Sequence, residues 1–480
     1  MKVSMEDMYK EMYVDMVLVA ALNKRNAFAS QISADEKAYL EDVIKIHSHV
    51  SYAVMCLAVQ CRASLKAKLN VEKQYVIRRT VVTSHEMYKY LYGFSGRCTP
   101  WLKLEQALLH TYPDICKEID DAAVNFKNLY ALDTDGDLRD VAKHFSDDPT
   151  EFFRNMERVD EKNTTERMAA ALAFLQPMHS MLTKELNKKF GNDYTKALVA
   201  PMPVQKFEPV GSDGDVKVDA LTEGIVKYSG IINHLMLMVT KAHDIGLQYN
   251  LDVDNSEQWK GFTDNNIGLH ILYIFLDMMT TFKAFLCSET FAEYRQNLAY
   301  LIVSAHEGFK KLYGFDQNKR YNCYWNRAIK KTVMQTGDEK LTAEMNRIEE
   351  MLNKLSESPL LCDEDMVVAY THVGYIKKYK NESTFAVLDY FSQPVNQAEM
   401  ECLTNFLKVM NDVVKLYTDV LEVENEQMNR ATKAKFDELY CMIDKLAAMG
   451  DSTKDPNQSE KWSETTRKMR EMLDKLVEKI

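Results

Sequence analysis

A short polar segment holds the residues best suited to chemistry. Arg139 is followed directly by Asp140 and, five residues after the arginine, by His144. Histidine titrates near neutral pH and can therefore transfer protons. The planar guanidinium group of arginine binds phosphate oxygens through parallel hydrogen bonds. The segment thus predicts acid–base chemistry at a phosphate group, with Arg139, Asp140 and His144 as catalytic candidates.

This Arg-Asp-x-x-x-His segment resembles the signature of the HEPN superfamily (higher eukaryotes and prokaryotes nucleotide-binding), whose members are small all-α bundles. The resemblance implies metal-independent cleavage of RNA. His144 would transfer a proton to or from the 2′-hydroxyl and the leaving oxygen. Arg139 would hold the phosphate, and Asp140 would orient the pair. Further candidates for phosphate contact are Lys143, Lys377 and Lys378.

A calcium loop is excluded in the same region. The acidic run Asp133–Asp137 looks like the start of an EF-hand loop. Such a loop needs glycine at its sixth position and glutamate at its twelfth, where this chain has Leu138 and His144. The acidic residues are better explained as the cap and first turn of a helix, where carboxylates meet free N–H groups.

A His-Glu pair occurs twice, as His85-Glu86 and as His306-Glu307. A zinc-protease helix would need a second histidine four residues after the first, and both of those positions hold lysine. These four residues are secondary site candidates, because His49 could reach His85, and His270 could reach His306, across a helix pair. The alternative is that the histidines are buried, hydrogen-bonded structural residues. We expect no metal ion and no cofactor.

The two His-Glu pairs belong to a longer internal repeat. Residues 84–94 (SHEMYKYLYGF) recur as residues 305–315 (AHEGFKKLYGF) at an offset of 221. The same offset relates His49 to His270, and it grows to 228 where His144 matches His372. Offsets that only grow are typical of a duplicated unit with small loop insertions. We therefore predict copy one (1–199), a linker (200–217), copy two (218–449), and a second linker with a tail helix (450–480).

The motif is complete only in copy one. Copy two keeps His372, but Val367 and Val368 stand where copy one has arginine and aspartate. HEPN sites usually form where two motifs face each other, so the resemblance implies that a full site needs copy one of a second chain. Copy one is therefore the better place to look for chemistry, and copy two supplies support.

Composition favours an all-α fold. The 480 residues include only 16 Gly and 10 Pro, which is too few for a chain of tight β turns. Apolar residues recur at the 3.6-residue helical period, so each copy reads as a multi-helix bundle. Nine scattered cysteines without a Cys-x-x-Cys pair favour free thiols and a cytoplasmic location. The start of the chain lacks a signal-peptide pattern, and the most apolar stretch, Ile267–Phe275, is too short to span a membrane.

The tail predicts an amphipathic helix, because its apolar residues alternate at steps of four and three. It either folds back onto its own bundle or docks a protein partner or a second copy of the chain. The leading functional hypothesis is a HEPN-like ribonuclease of toxin or defence type, with RNA as the substrate. The competing hypothesis is a non-enzymatic scaffold that binds a protein partner. The apolar residues of the tail are Trp462, Thr466, Met469, Leu473, Leu476 and Ile480.

Overall fold

The prediction of an all-α fold is confirmed by a computed structural model. Every regular element within the described residues is a helix. The described residues are 5–23, 32–94, 99–132, 161–191, 217–248, 260–314, 323–362, 397–452 and 456–477.

Copy one contributes six described helices. They are α1 (Met5–Asn23), α2 (Ala34–Lys66), α3 (Asn70–Leu91), α4 (Pro100–Leu108), α5 (Pro113–Leu129) and α6 (Glu161–Phe190). Copy two and the tail contribute α7 (Val218–Gln248), α8 (Lys260–Leu286), α9 (Phe291–Leu312), a π-helical turn (Trp325–Ile329), α10 (Lys330–Thr336), α11 (Glu339–Leu355), α12 (Pro359–Cys362), α13 (Gln397–Asp451) and α14 (Pro456–Val477).

Local sequence signals set several helix ends. The Thr290 hydroxyl accepts from the backbone N–H of Glu293, whose carboxylate caps the backbone in return. Gly93 has φ +65° and Gly314 has φ +78°, so each takes the left-handed conformation that ends a helix. After Gly93, the Phe94 ring packs back against Tyr88 at 5.7 Å between ring centroids. The repeated Tyr-Gly sequence thus ends both helices.

Helix α2 lies at the centre of copy one, because α1, α3 and α6 all pack against it. Nearly every residue between Val43 and Leu57 is buried. Helix α8 has the same central role in copy two, where it packs against α7 and α9. The apolar stretch seen in the sequence continues to Leu286. Among the described residues, Ile267–Leu286 is the one segment that is long and apolar enough to cross a membrane. However, 72% of its most apolar 18 residues are buried inside the fold, as in a core helix.

The matched regions of the two copies form matched helices. Helices α3 and α9 both have 22 residues, and α5 and α11 both have 17. Trp101 and Trp325, which the repeat pairs, are both fully buried. These likenesses support the duplication, which stays a prediction.

The helix pairs α2/α3 and α8/α9 also contact each other in a reciprocal way. Arg62 of α2 lies 3.1 Å from Glu293 of α9, and Lys283 of α8 lies 2.7 Å from Glu72 of α3. The offset of 221 converts Arg62 into Lys283 and Glu72 into Glu293. Such exchange of partners is what a two-fold arrangement of two related units produces.

A cavity of about 290 Å³ lies on the same contact and repeats this symmetry. Seven residue pairs related by the offset of 221 line it from opposite sides. The pairs are Val59/Thr280, Ala63/Ala284, Lys66/Cys287, Ala67/Ser288, Lys68/Glu289, Glu72/Glu293 and Val76/Asn297.

The chain divides into two compact units that do not follow the repeat. The first comprises residues 1–328 and 348–414, and the second comprises residues 329–347 and 415–480. The first unit therefore contains copy one together with most of copy two. The predicted domain ranges describe sequence repeats, and they stay a prediction.

In the second unit, α14 contacts the later part of α13. The Tyr440 hydroxyl donates to Asp474 at 2.5 Å, and Arg470 lies 3.3 Å from Asp444. The predicted apolar face of the tail is only partly covered. Thr466 and Leu473 are buried, whereas Trp462 and Met469 are exposed, as is the neighbouring Met472, which lies outside the predicted face.

Candidate metal and acid–base centre

Three helices of copy one bring histidines and carboxylates together in its core. Helix α1 supplies Glu11 and Asp15, and α6 supplies His179 and Thr183. Each of these pairs is spaced four residues apart, so both of its members lie on one helical face. The middle of α2 supplies His47, which is fully buried.

The polar ligand atoms of Glu11, His47 and His179 lie within 4.8 Å of one another. His179 Nε2 lies 2.6 Å from Glu11 Oε2, and His47 Nε2 lies 3.9 Å from the same oxygen. The two imidazole rings stack with centroids 4.8 Å apart and planes tilted by 26°. One ligand atom from each of the three residues fits within 4.8 Å, and among the described residues this is the one group of three or more with that geometry.

Asp15 forms a hydrogen bond with the Nδ1 atom of the His47 ring. His47 Nδ1 lies 2.7 Å from Asp15 Oδ2. On the other side of the ring, His47 Nε2 lies 3.0 Å from the Thr183 hydroxyl, which itself donates to the backbone carbonyl of His179. The hydroxyl oxygen is therefore left to accept from His47. His47 donates from both nitrogens, which is the protonated form.

The charges of the cluster are strongly coupled. Burial raises the pKa of Asp15 to about 6, although the neighbouring His47 lowers it. Burial lowers the pKa of His47, but the attraction of Asp15 more than offsets this, so that the pKa of His47 is raised. Burial also lowers the pKa of His179, against the opposing effect of Glu11. The surroundings thus favour the protonated form of His47 and the neutral form of His179.

The donor set fits a divalent transition-metal ion. Two imidazole nitrogens and one carboxylate oxygen form the ligand set typical of non-haem iron and related sites, with open positions for water. Metal-binding histidines usually donate their second ring nitrogen to a carboxylate, as His47 does to Asp15. The other oxygen of Asp15 is buried without a hydrogen-bond partner among the described residues. Solvent reaches the edge of the cluster, where the side chain of Glu11 is 17% exposed.

The leading sequence-predicted site residues lie outside the described residues. Residues 133–160 and 363–396 are not among the described ranges. The candidates that fall there are Arg139, Asp140, Lys143, His144, His372, Lys377 and Lys378.

His372, a secondary candidate, lies outside the described residues, and the other four secondary candidates are buried on two different helices. His85 and Glu86 lie in α3, where His85 Nδ1 is 3.9 Å from Glu86 Oε1. His306 and Glu307 lie at the matching positions of α9. None of the four belongs to a group of three or more metal-binding side chains among the described residues. A catalytic role for them stays a prediction.

The other two repeated histidines have structural partners. His49 Nδ1 donates to the backbone carbonyl of Lys45 at 2.7 Å, and its ring stacks on Tyr90 at 4.0 Å. His270 Nδ1 is hydrogen-bonded to the Tyr324 hydroxyl. These contacts are those of buried, hydrogen-bonded core histidines.

Sequence reasoning missed the cluster because it followed the repeat. His47 lies only two residues before His49, but its counterpart in copy two is Gly268. The signal present in the sequence was the pair of four-residue spacings, Glu11 to Asp15 and His179 to Thr183. Each spacing places two polar side chains on the apolar face of its helix, where a polar residue needs a partner.

Comparison with known proteins adds no assignment. No protein-family model, no curated protein and no solved structure matches this chain.

Proposed function

We propose that this protein binds one divalent transition-metal ion in copy one, through Glu11, His47 and His179. The convergence of three ligand atoms from three helices within 4.8 Å carries this proposal. Asp15 would orient His47, and the ion would replace the proton that His47 now shares with its surroundings.

A three-ligand site has a definite chemical capacity. Three protein ligands leave coordination positions open, and a metal ion lowers the pKa of a bound water so that it becomes a nucleophile near neutral pH. The partly exposed edge at Glu11 is where water and a substrate group would reach the ion. The activity that this geometry supports best is therefore metal-assisted hydrolysis.

Titration with Co²⁺ tests the metal site directly. After dialysis against a chelator, the full-length protein should bind one equivalent of Co²⁺ and show the visible absorption bands of nitrogen and oxygen coordination. Glu11→Gln keeps the size of the side chain but removes its charge, so we expect the affinity to fall at least about tenfold. His234→Gln, on the exposed face of α7, is the matched control and should change nothing.

Two results would contradict the metal proposal. One is that Co²⁺, Zn²⁺ and Mn²⁺ all fail to bind at a one-to-one ratio. The other is that binding is equally strong in Glu11→Gln and in the wild-type protein, which would place the ion elsewhere.

Ribonuclease activity is a second candidate function, supported by the motif of Arg139, Asp140 and His144. HEPN-type cleavage is independent of metal, so a chelator separates the two proposals. RNA cleavage that persists in chelator and is lost in His144→Ala would support the ribonuclease. Cleavage that is abolished by chelator and by Glu11→Gln would support the metal centre instead.

Binding of a protein partner through the tail is the non-enzymatic alternative. The exposed Trp462, Met469 and Met472 of α14 support it, since large apolar side chains on one helix favour association. A second copy of this chain is the partner to test first. Light scattering should give a dimer mass that falls to the monomer value in Trp462→Glu, and a monomer at all concentrations would contradict the proposal.

A further inference from the structure

The candidate metal centre of copy one has a further oxygen atom beside its ligand atoms. The hydroxyl oxygen of Thr183 lies 3.0 Å from His47 Nε2, whereas Glu11 Oε2 lies 3.9 Å from the same nitrogen. Thr183 is therefore closer to His47 than the carboxylate that we assign as a ligand. It lies four residues after His179 in α6, so both side chains lie on one face of that helix.

A hydrogen bond within α6 fixes the orientation of this hydroxyl group. Thr183 donates its proton to the backbone carbonyl oxygen of His179 at 2.9 Å. A hydroxyl group has one proton and two lone pairs. Because the proton is used within the helix, the Thr183 oxygen presents lone pairs to the group that lies next to His47 Nε2.

A metal ion on His47 would change the partner of this oxygen. In the metal-free protein, His47 Nε2 donates its proton to Thr183. An imidazole nitrogen must lose its proton before it binds a metal ion. The half-buried Thr183 oxygen would then have no donor, which is unfavourable. A bond to the ion itself would give the oxygen a new partner.

The distance between the two side chains suits a shared ion. Two atoms that bind one ion through bonds of about 2.1 Å lie roughly 3.0–3.4 Å apart, the lower value for an octahedral ion and the higher for a tetrahedral ion. The 3.0 Å between Thr183 and His47 falls in this range. Serine and threonine hydroxyls are known ligands of divalent ions in nucleotide-binding loops.

The charge of the site fits a neutral additional ligand. A divalent ion brings two positive charges, and the ionised carboxylates of Glu11 and Asp15 supply two negative charges. A further charged ligand would leave one charge uncompensated in a largely buried site. The Thr183 hydroxyl supplies an oxygen atom without adding charge.

We propose that Thr183 is the fourth protein ligand of the ion and binds it through the neutral hydroxyl oxygen. This inference rests on the proposed metal site of Glu11, His47 and His179. It adds a ligand from a residue type that is neither acidic nor basic. The complete set has two nitrogen and two oxygen atoms, and it leaves fewer positions on the ion for water and substrate.

A cysteine at position 183 tests the contact between this side chain and the ion. A thiol that binds a divalent transition-metal ion loses its proton. A thiolate bound to Co²⁺ gives an intense charge-transfer band in the near ultraviolet. After dialysis against a chelator, full-length Thr183→Cys should gain this band with one equivalent of Co²⁺, and the wild-type protein should not.

Thr222 of α7 offers a matched control. It is also half-buried, and its hydroxyl donates to the backbone carbonyl of Val218, four residues earlier. Among the described residues it has no group of metal-binding side chains around it. Thr222→Cys should therefore show no charge-transfer band.

Removal of the oxygen gives a second measurement. Thr183→Val keeps the shape of the side chain but has no lone pair, so Co²⁺ affinity should fall at least about tenfold. Thr183→Ser keeps the hydroxyl and should bind Co²⁺ about as tightly as the wild-type protein. Thr222→Val loses the same kind of hydrogen bond within its helix and should leave the affinity unchanged.

The outcomes separate this inference from the metal site itself. If the wild-type protein binds one Co²⁺ and a folded Thr183→Cys variant shows no band, the fourth ligand is refuted and the other three ligands stand. The same band in Thr222→Cys would also refute it. A wild-type protein that binds no Co²⁺ would refute both proposals. If Thr183→Cys fails to fold, equal Co²⁺ affinity of Thr183→Val and Thr183→Ser overturns the inference.

Discussion

The surroundings of His47 in copy one and of Gly268 in copy two lie at matching places in their helices but differ in chemistry. Around His47 the helices place two carboxylates and a second histidine. Around Gly268 the corresponding helices lack such residues. Helix α7 has no acidic residue between Glu223 and Asp244, and the whole of α13 contains no histidine.

A cavity of about 520 Å³, bounded by the first turns of α3, by α7 and by α8, shows the opposite difference. The reciprocal place beside α1 of copy one, related by the offset of 221, is filled by Tyr9, Phe291 and Arg295. Each copy has thus kept a different feature on the same helical frame. Similar helical frames can therefore carry different chemistry, with a charged centre in one copy and an apolar cavity beside the other.

The largest effect is expected for a buried ion pair in the contact between α2/α3 and α8/α9. The pair occurs once, and the positions related to it by the offset of 221 hold no ion pair. Arg78 of α3 pairs with Asp277 of α8, whereas the offset of 221 turns the reciprocal pair into Ala299 and Cys56. Arg78→Ala should lower the free energy of unfolding by about 3–5 kcal/mol, because it leaves a buried carboxylate unpaired. Urea unfolding measures this loss.

A double variant sharpens that result. Arg78→Ala combined with Asp277→Cys makes both directions of the contact apolar, and it should recover part of the stability. Arg430→Ala, at an exposed surface pair, is the control. A loss below 1 kcal/mol in the single variant, without recovery in the double variant, would show that the pair is dispensable.

The second prediction removes the carboxylate that distinguishes copy one. Asp15→Asn keeps the shape of the side chain but weakens its hold on His47. Co²⁺ affinity should fall about 10- to 100-fold, as for other residues that orient a metal ligand. Asp114→Asn, on the exposed first turn of α5, is the control. Unchanged affinity would mean that Asp15 does not support the ligand.

The third prediction compares the two reciprocal ion pairs. Lys283→Met should cost about 0.5–1 kcal/mol, and Arg62→Met should cost less. The reason is that Lys66 lies 3.7 Å from Glu293 and can replace Arg62. Thermal unfolding of the two variants gives the order, and an equal or reversed cost would contradict it.

The same pair predicts a dependence on pH. Burial raises the pKa of Glu72, but the hydrogen bonds from Lys283 and from two backbone N–H groups outweigh it, so the pKa is lowered. A carboxyl group whose pKa is lower in the folded protein stabilises the fold at pH values above the pKa of the unfolded chain. This stabilisation is lost as the pH falls through the pKa of the folded protein. The difference between wild type and Lys283→Met should therefore shrink from pH 6 to pH 3. A constant difference would rule out Glu72 as the cause.

The smallest effect concerns a carboxyl pair of copy one. Burial and then Asp120 raise the pKa of Glu105 to about 7. A carboxyl group whose pKa is higher in the folded protein contributes its stability at pH values below the pKa of the unfolded chain. That contribution is lost as the pH rises towards 7. Glu105→Gln should therefore stabilise the protein slightly at pH 8 and leave it unchanged at pH 4. Unfolding midpoints at both pH values measure this, and a loss of stability at pH 8 would contradict it.

The sequence predicts the fold better than it predicts the candidate site. The helical class follows from local patterns and is confirmed. The eight described cysteines are free. The cluster of Glu11, His47 and His179 was missed, because none of its members repeats or forms a known motif. The motif that the sequence did offer, Arg139 to His144, lies outside the described residues and stays a prediction.

The sequence alone determines those features that depend on residues close together in the chain. Helical periodicity, capping residues such as Thr290 and left-handed glycines such as Gly314 act over one or two turns, so a linear pattern contains them. Tertiary structure alone decided which distant side chains meet. Glu11 and His179 are 168 residues apart, and Arg78 and Asp277 are 199 residues apart. Their contacts depend on how whole helices pack, and no local spacing records that packing.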